Sequence, residues 1–528
     1  MKFLEIFQKK SKTKPEKDPF GKKGFFKFSK ISGKILIIYL VIIAIGTFLL
    51  SIPGVVLKDG RQIYDGQGND LGYFDFSWNI LIALFTASSA FSDTGLSIAT
   101  ASSDYTIFGQ IIILLLIQLG GFGVLTFKIM ILMLVNKKIK ISDQKLIQGE
   151  RGGTNFGNTV ELVKSGIIFL LLIEAISAIL LAFTFYFSAT SAETASAGSV
   201  DNADISMQTY HNFWNSVWAG IFHSVSAVNN AGFDIIGNSS LMPYNTNYII
   251  QFIFLFEFIA GGIGFVTFYD FRRKFRAWKR NEVVRFSLFT KINLVTYFTI
   301  SFIGVFSVWS MQMGHLNTTT INENGEVEYI EQILNNSVSD WNGFMNIFFN
   351  TMSNRNAGFS TVDMNKFLPG SKMIMSMLMF IGSSPSSTAG GIRTTTLFII
   401  VMTIISITRN RSSVNAFKKE IPAETVRRAM GVGIISFTLV SFASLIIISE
   451  NSHIDYVDIF FLATSAFGTT GLNTLGFLDM VNLGVASTII LCILMFVGQL
   501  GVSATLLVAV KTNNKKTSAF PEEDINIG

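Results

Sequence analysis

Gly382-Ser383-Ser384-Pro385-Ser386-Ser387-Thr388-Ala389-Gly390-Gly391-Ile392-Arg393-Thr394-Thr395-Thr396 interrupts what is otherwise one apolar run from Met373 to Ile407. Three glycines and a proline in that stretch make continuous helix unfavourable. The flanks, Met373–Ile381 and Leu397–Ile407, are each too short to cross about 30 Å of hydrocarbon at about 1.5 Å per residue. A bilayer offers an unpaired amide no water, so broken helix at that depth survives only inside protein or along a wet cavity. The stretch is therefore expected to be a polar plug within a membrane-spanning helix rather than a loop between two short helices.

Composition agrees with a membrane setting. Of 528 residues 49% are hydrophobic and 14% charged, the mean hydropathy is +0.47, and apolar runs of spanning length recur. The single cysteine, Cys492, lies in an apolar segment, which excludes a disulfide framework and a thiol metal site. His211, His223, His315 and His453 have no ligand spacing. The net charge of +6 does not point to nucleic acid, because the first 34 residues alone hold 11 lysines against Glu5, Glu16 and Asp18. With six phenylalanines among those lysines, that tail suits an anionic lipid surface as well as it suits solvent. It is too long and mixed for the charged end of a signal peptide.

The chain repeats one unit four times: a long apolar helix, an acidic loop, a short apolar segment ending in a glycine motif, a second apolar helix, a basic loop. The short segments and motifs are Trp78–Phe91 with Ser92-Asp93-Thr94-Gly95-Leu96, and Phe213–Val228 with Asn229-Asn230-Ala231-Gly232-Phe233. Trp341–Asn354 with Arg355-Asn356-Ala357-Gly358-Phe359, and Val457–Phe467 with Gly468-Thr469-Thr470-Gly471-Leu472, complete the set. The expected units are a basic tail 1–34, repeats 35–136, 160–271, 286–408 and 426–510, and a tail 511–528. The motif glycines are 137, 126 and 113 residues apart, as in divergent duplication.

Charge decides whether the short segments cross. Loops 1–34, 137–164, 272–291 and 409–428 hold 31 Lys and Arg against 9 acids. Loops 54–76, 188–212, 314–341 and 450–458 hold 2 against 15. Basic loops mark the cytoplasmic side, and the two kinds alternate only if each short segment leaves the way it came. The expectation is an all-α polytopic fold of eight spanning helices and four re-entrant loops around one pore, with both termini cytoplasmic. A short helix entering the membrane presents a partial negative charge at its C-terminus, which favours a cation. Carbonyls beyond it can replace a cation's hydration shell. Glycine lets successive carbonyls aim at one axis. Four such loops point to a cation path lined by Asp93, Thr94, Gly95, Asn230, Ala231, Gly232, Asn356, Ala357, Gly358, Thr469, Thr470 and Gly471.

These motifs, above all Ser353-Asn354-Arg355-Asn356-Ala357-Gly358-Phe359 and Gly382–Thr396, resemble the Trk/Ktr/HKT superfamily of potassium transporters over about 35–510. One helix before the first loop is similar to the Ktr-type membrane subunit. The resemblance implies a channel-like uptake protein carrying potassium, with sodium permeation or coupling as the alternative. It also implies a homodimer on a ring of cytoplasmic nucleotide-binding subunits in the cell membrane. It makes residues 382–396 a gate: Gly382, Ser383, Ser384, Pro385, Ser386, Ser387, Thr388, Ala389, Gly390, Gly391 and Arg393. Glycine in all four motifs resembles the potassium-selective members. One departure stands out. Family members carry arginine on the fourth inner helix where this chain has Gln499, within Gly498-Gln499-Leu500-Gly501.

Other features weigh less. Glu174 and Glu257, within apolar helices, read either as a coupling-ion site or as hydrogen bonds locking helices. Arg355 is expected to anchor its loop to an acid or to carbonyls. Lys128 is expected to snorkel toward the cytoplasm. Gly120-Gly121-x-Gly123 and Gly261-Gly262-x-Gly264 read as close helix packing, not as dinucleotide fingerprints. No phosphate loop, nucleophile elbow or metal-ligand pair appears, which disfavours an enzyme. An alternating-access solute carrier would favour inverted repeats with paired broken helices, whereas these units are parallel and one inner helix stands out as broken.

Overall fold

In an apolar solvent the backbone has only itself to bond, and uninterrupted Ile, Leu and Phe runs accordingly form helices. The computed structural model describes residues 31–52, 76–123, 126–127, 130, 159–190, 207–237, 240–314, 319–321, 327–329 and 341–502. Most of the basic tail, Lys128, the loop from 137 to 158 and the tail 511–528 lie outside these described residues. The first unit comprises α1 (Ile31–Leu50), α2 (Phe76–Phe91) and α3 (Ile107–Phe122). The second comprises α4 (Thr159–Phe187), α5 (Phe213–Val228), α6 (Tyr248–Ile263) and α7 (Phe265–Lys279). The third runs α8 (Leu288–Gly314), α9 (Trp341–Ser353), α10 (Pro369–Phe380) and α11 (Thr394–Thr408). The fourth runs α12 (Ala423–Glu450), α13 (Tyr456–Gly468), α14 (Phe477–Val481) and α15 (Val485–Leu500). Two short antiparallel hairpins, β1 (Thr319–Ile321) with β2 (Val327–Tyr329) and β3 (Val414–Ala416) with β4 (Lys419–Ile421), sit in loops.

The solvent preference is inverted relative to a protein in water. Ile176, Ile179 and Phe183 of α4, Phe302 and Phe306 of α8, and Ile434 and Phe442 of α12 face outward, while Ser89, Thr94, Asn229, Asn350 and Ser465 are buried. That is the pattern lipid imposes, since an exposed polar group there has no partner. Among the described residues α4, α8 and α12 are long and apolar enough to span unaided. A partly buried ion pair, Lys372 Nζ to Asp458 Oδ1 at 2.7 Å, fastens α10 to α13.

Interruption is not confined to the third unit, contrary to the sequence expectation. α6 and α7 meet at Gly264 with a bend of 97°. α3 and α15 end at Gly123 and Gly501, and all three glycines have positive φ (+75°, +84° and +82°). The physical cause at Gly264 is steric: a Cβ there would lie 2.8 Å from Pro385 O and 2.9 Å from Ser384 Oγ, because the interrupting loop of unit three wedges against this turn. The Gly-Gly-x-Gly motifs thus serve twice. Gly120, Gly261 and Gly498 also let their helices press on Phe91 O, Val228 O and Phe467 O, at the ends of α2, α5 and α13.

Candidate functional site

The four glycine motifs follow the C-termini of α2, α5, α9 and α13, and three of them turn in the same way. In the first, Asp93 N donates to Ala90 O at 3.3 Å and Thr94 N to Ser89 O at 2.9 Å. Asn230 and Ala231 repeat this with Ala227 and Ser226, and Thr469 and Thr470 with Ala466 and Ser465. Asp93, Asn230 and Thr469 occupy the left-handed region at φ 52°, 58° and 50°. This is the Schellman ending, in which the residue after the cap reverses the chain. Aspartate and asparagine tolerate that conformation; a β-branched threonine resists it, so Thr469 is held there by its surroundings. The third motif differs. Ala357 N returns to Ser353 O at 2.7 Å with Asn356 outside the left-handed region. Here Arg355, fully buried, reaches out instead, donating to Gly382 O at 2.8 Å over the ring of Tyr297.

The glycines then close a ring. Gly95, Gly232, Gly358 and Gly471 all have positive φ, from +70° to +91°. A Cβ on Gly95 would fall closer than 3.0 Å to Ala231 O, one on Gly232 to Ala357 O, one on Gly358 to Thr470 O and one on Gly471 to Thr94 O. Each motif leans on the carbonyl preceding the next glycine, in chain order, and the fourth returns to the first. The ring places Thr94, Ala231, Ala357 and Thr470 side by side, and all four glycines line one cavity of about 250 Å³.

Asp234 and Asp363 line that cavity too. Burial pushes the Asp234 carboxyl up to about 7, against the opposing pull of the Ile236 and Gly237 amides. Raising the pH through about 7 therefore adds negative charge beside the ring. Cation flux at low cation concentration on the cavity side is expected to rise about two- to threefold across that interval, through local cation enrichment. Asp234→Asn should flatten the profile, and an unchanged profile in that variant would refute the assignment.

On the other side of the ring lies the loop between α10 and α11, bonded to three motifs directly and to the first through Gln499. Asn230 Nδ2 donates to Thr388 Oγ1 at 2.7 Å, and Gly390 N donates to Thr469 Oγ1 at 2.6 Å. Gln499 Nε2 donates to Asp93 Oδ2 at 3.1 Å and to Thr388 O at 3.2 Å, joining the first motif to the loop. Arg355 supplies the fourth tie. Arg393 donates to Ala389 O and, at 3.2 Å, to Gln499 O. Ser384 N donates to Gly262 O at 3.2 Å and Phe265 N to Ser386 O at 3.1 Å, fixing the loop against the α6–α7 turn. Ser383 O accepts from Thr394 N, Ser387 N bonds back to Ser384 O, and Gly391 N donates to Phe467 O at 3.1 Å.

Sequence reasoning missed Asn293, and of its two readings of Glu174 the structure shows the hydrogen bonds that lock helices. Asn293 of α8 donates to Ile263 O at 2.9 Å and accepts from Thr394 Oγ1 at 2.7 Å, joining two broken helices. Gln118 and Asn229 both donate to the Glu174 carboxylate, at 3.2 and 3.1 Å, so Glu174 ties α3 and the second motif to α4. Only the presence of polar residues in apolar runs hinted at either. Glu257 is fully buried in α6. Among the described residues no group of His, Cys, Asp and Glu could hold a metal.

The family profile described as TrkH, cation transport protein, matches residues 66–519. An uncharacterized cation transporter of Mycoplasma genitalium is 34% identical over 94% of this chain and 97% of its own length. The Ktr system potassium uptake protein B of Bacillus subtilis is 28% identical over 92% of this chain and 96% of its own. The crystal structure of the potassium transporter TrkH from Vibrio parahaemolyticus superposes with a TM-score of 0.60 at 15% identity, over 93% of this chain and 87% of that one, a likeness of fold. With a family match over most of its length, the chain belongs to the TrkH cation transport protein family, and is a transport protein rather than an enzyme.

Proposed function

We propose that this cation transporter is a channel-like potassium uptake protein with the ring of four glycine motifs as its selectivity filter. The closed ring carries the reading: four carbonyls, Thr94, Ala231, Ala357 and Thr470, are packed edge to edge beside glycines that touch one cavity. Such carbonyls replace a dehydrated monovalent cation's water, and the C-terminal ends of α2, α5, α9 and α13 add favourable dipoles. Asp93, Asn230, Asn356 and Thr469 complete the motifs from below, where side-chain bonds from Asp93, Asn230 and Thr469 reach the loop or its Gln499 bridge.

The loop from Gly382 to Arg393 acts as the gate in this reading. It lies directly beneath the ring, and its ties to all four motifs let it block the path while closed. Gln499, neutral where the family resemblance implies arginine, bridges filter and gate without adding a cationic barrier. Eight spans with both termini cytoplasmic, a homodimer, and regulation by a ring of cytoplasmic nucleotide-binding subunits belong to the same proposal. The charge alternation supports the first, and the likeness to a Ktr subunit supports the others.

Ion-replacement flux in liposomes tests it. Uptake driven by a potassium gradient is expected to exceed that driven by an equal sodium gradient by about tenfold or more, as a carbonyl filter discriminates. Equal fluxes would favour the sodium-permeable alternative, and absence of either would defeat the channel reading.

A further inference from the structure

α7 leaves the α6 axis at 97° and is amphipathic. Phe268, Phe271, Phe275 and Trp278 recur on one face, while Arg272, Arg273, Lys274, Arg276 and Lys279 carry its charge against the lone acid Asp270. Between α7 and α4 runs an open groove of about 790 Å³. Its walls are aliphatic and aromatic, with Ile168 and Leu172 from α4 and Phe271 and Phe275 from α7, and Arg272 and Lys274 stand at its rim. These four apolar side chains are exposed, two on α4, whose outer surface is otherwise made for lipid, and two on the basic helix α7. The neighbouring charges are accounted for: Arg272 donates to Ser165 Oγ, Arg276 pairs with Glu161 at 3.0 Å, Arg273 lies 3.5 Å from Asp270, and Lys274 sits 4.2 Å over the Phe286 ring.

We propose that this groove holds an anionic phospholipid of the leaflet on the basic-loop side, its headgroup against Arg272 and Lys274 and an acyl chain along Ile168 and Leu172. The argument is charge complementarity joined to an apolar trough. A basic amphipathic helix lying across the membrane surface attracts anionic lipid, and the phenylalanine and leucine walls offer a soluble phosphate nothing beyond the rim. The proposal needs the membrane fold but not the potassium selectivity, so its failure and that of the channel reading are separable.

Trp278, at the groove's end, reports occupancy. The full-length protein is reconstituted in phosphatidylcholine vesicles, and the emission lost in a Trp278→Phe variant is taken as the Trp278 signal. Phosphatidylglycerol with brominated acyl chains is expected to half-quench that signal at a mole fraction roughly tenfold below that of brominated phosphatidylcholine. Arg272→Gln with Lys274→Gln should remove the preference, while Arg272→Lys with Lys274→Arg, which keeps the charge, should retain it. Millimolar inorganic phosphate should not reverse quenching. Equal quenching by both lipids, a preference that survives charge removal, or displacement by phosphate would overturn the proposal. So would a Trp278 that neither lipid quenches, the result if another part of the chain or a second copy fills the groove.

Discussion

Replacing Gly471 by alanine is expected to abolish cation uptake while leaving the protein in the membrane. Two effects combine at this position. The residue sits at φ +91°, where a side chain costs roughly 1–2 kcal/mol. Its new Cβ would also overlap Thr94 O, and that carbonyl has little room to retreat. The first motif is pinned by Thr94 N to Ser89 O at 2.9 Å and by Gln499 to Asp93 Oδ2 at 3.1 Å. Relief must therefore come from rotating the carbonyl that would face the ion, or from spreading the ring. A displacement on the order of 1 Å in a positioned polar group can cost about 100-fold in rate, and a loss of that size in rubidium uptake by vesicles is the expected result. Gly431→Ala is the control. It lies within α12 with nothing near its Cβ position, so alanine there should leave uptake unchanged and favour the helix slightly. Retention of more than half the wild-type uptake by Gly471→Ala, at equal membrane abundance, would remove the ring from the ion path.

Deleting Ser383 through Gly390 is expected to raise flux about tenfold or more. A deletion inside a membrane helix would ordinarily be expected to unfold it, yet here the geometry favours closure. Gly382 and Gly391 already touch: a Cβ on Gly391 would lie 3.0 Å from Gly382 Cα, and Ile392 N donates to Phe380 O at 3.1 Å. The loop leaves and returns at one point, so a peptide bond, with its Cα spacing of about 3.8 Å, can join the two ends with little movement of α10 or α11. What is lost is the matter beneath the ring. Asn230 and Thr469 lose partners, at roughly 1–3 kcal/mol each where no water replaces them, and a wetted path supplies that water. Unchanged or lower flux from folded, membrane-inserted protein would defeat the gating role.

How far the sequence could be read depends on whether a feature is local. The left-handed turns after α2 and α5 follow from Asp93 and Asn230, residues that tolerate that conformation, whereas the turn after α13 places a threonine there and depends on its surroundings. The interruption at 382–396 is equally plain, because glycine and proline conflict with apolar helix within one window. The α6–α7 bend was written in Gly261-Gly262-Ile263-Gly264 but read as packing alone. Its cause, the carbonyl of Pro385, lies more than 100 residues away in sequence. The same distance hid the role of Gln499, whose amide joins Asp93 to Thr388, and of Asn293. Arg355 marks the third motif as exceptional in the sequence, yet only three dimensions show that its guanidinium adds a tie to Gly382 beside a tighter local turn onto Ser353 O.

One chain supplies all four corners of the ring, so the corners are free to differ, and they do: three reverse through a left-handed residue, and the third through a different local turn to which Arg355 adds a long tie. In a pore assembled from four identical subunits any substitution appears fourfold at once and must suit every seat. Here a change touches one quadrant and its two neighbours. The shape of a corner and its attachment to the loop can therefore be tuned separately, one corner at a time, while the corners not in contact with it keep their shape.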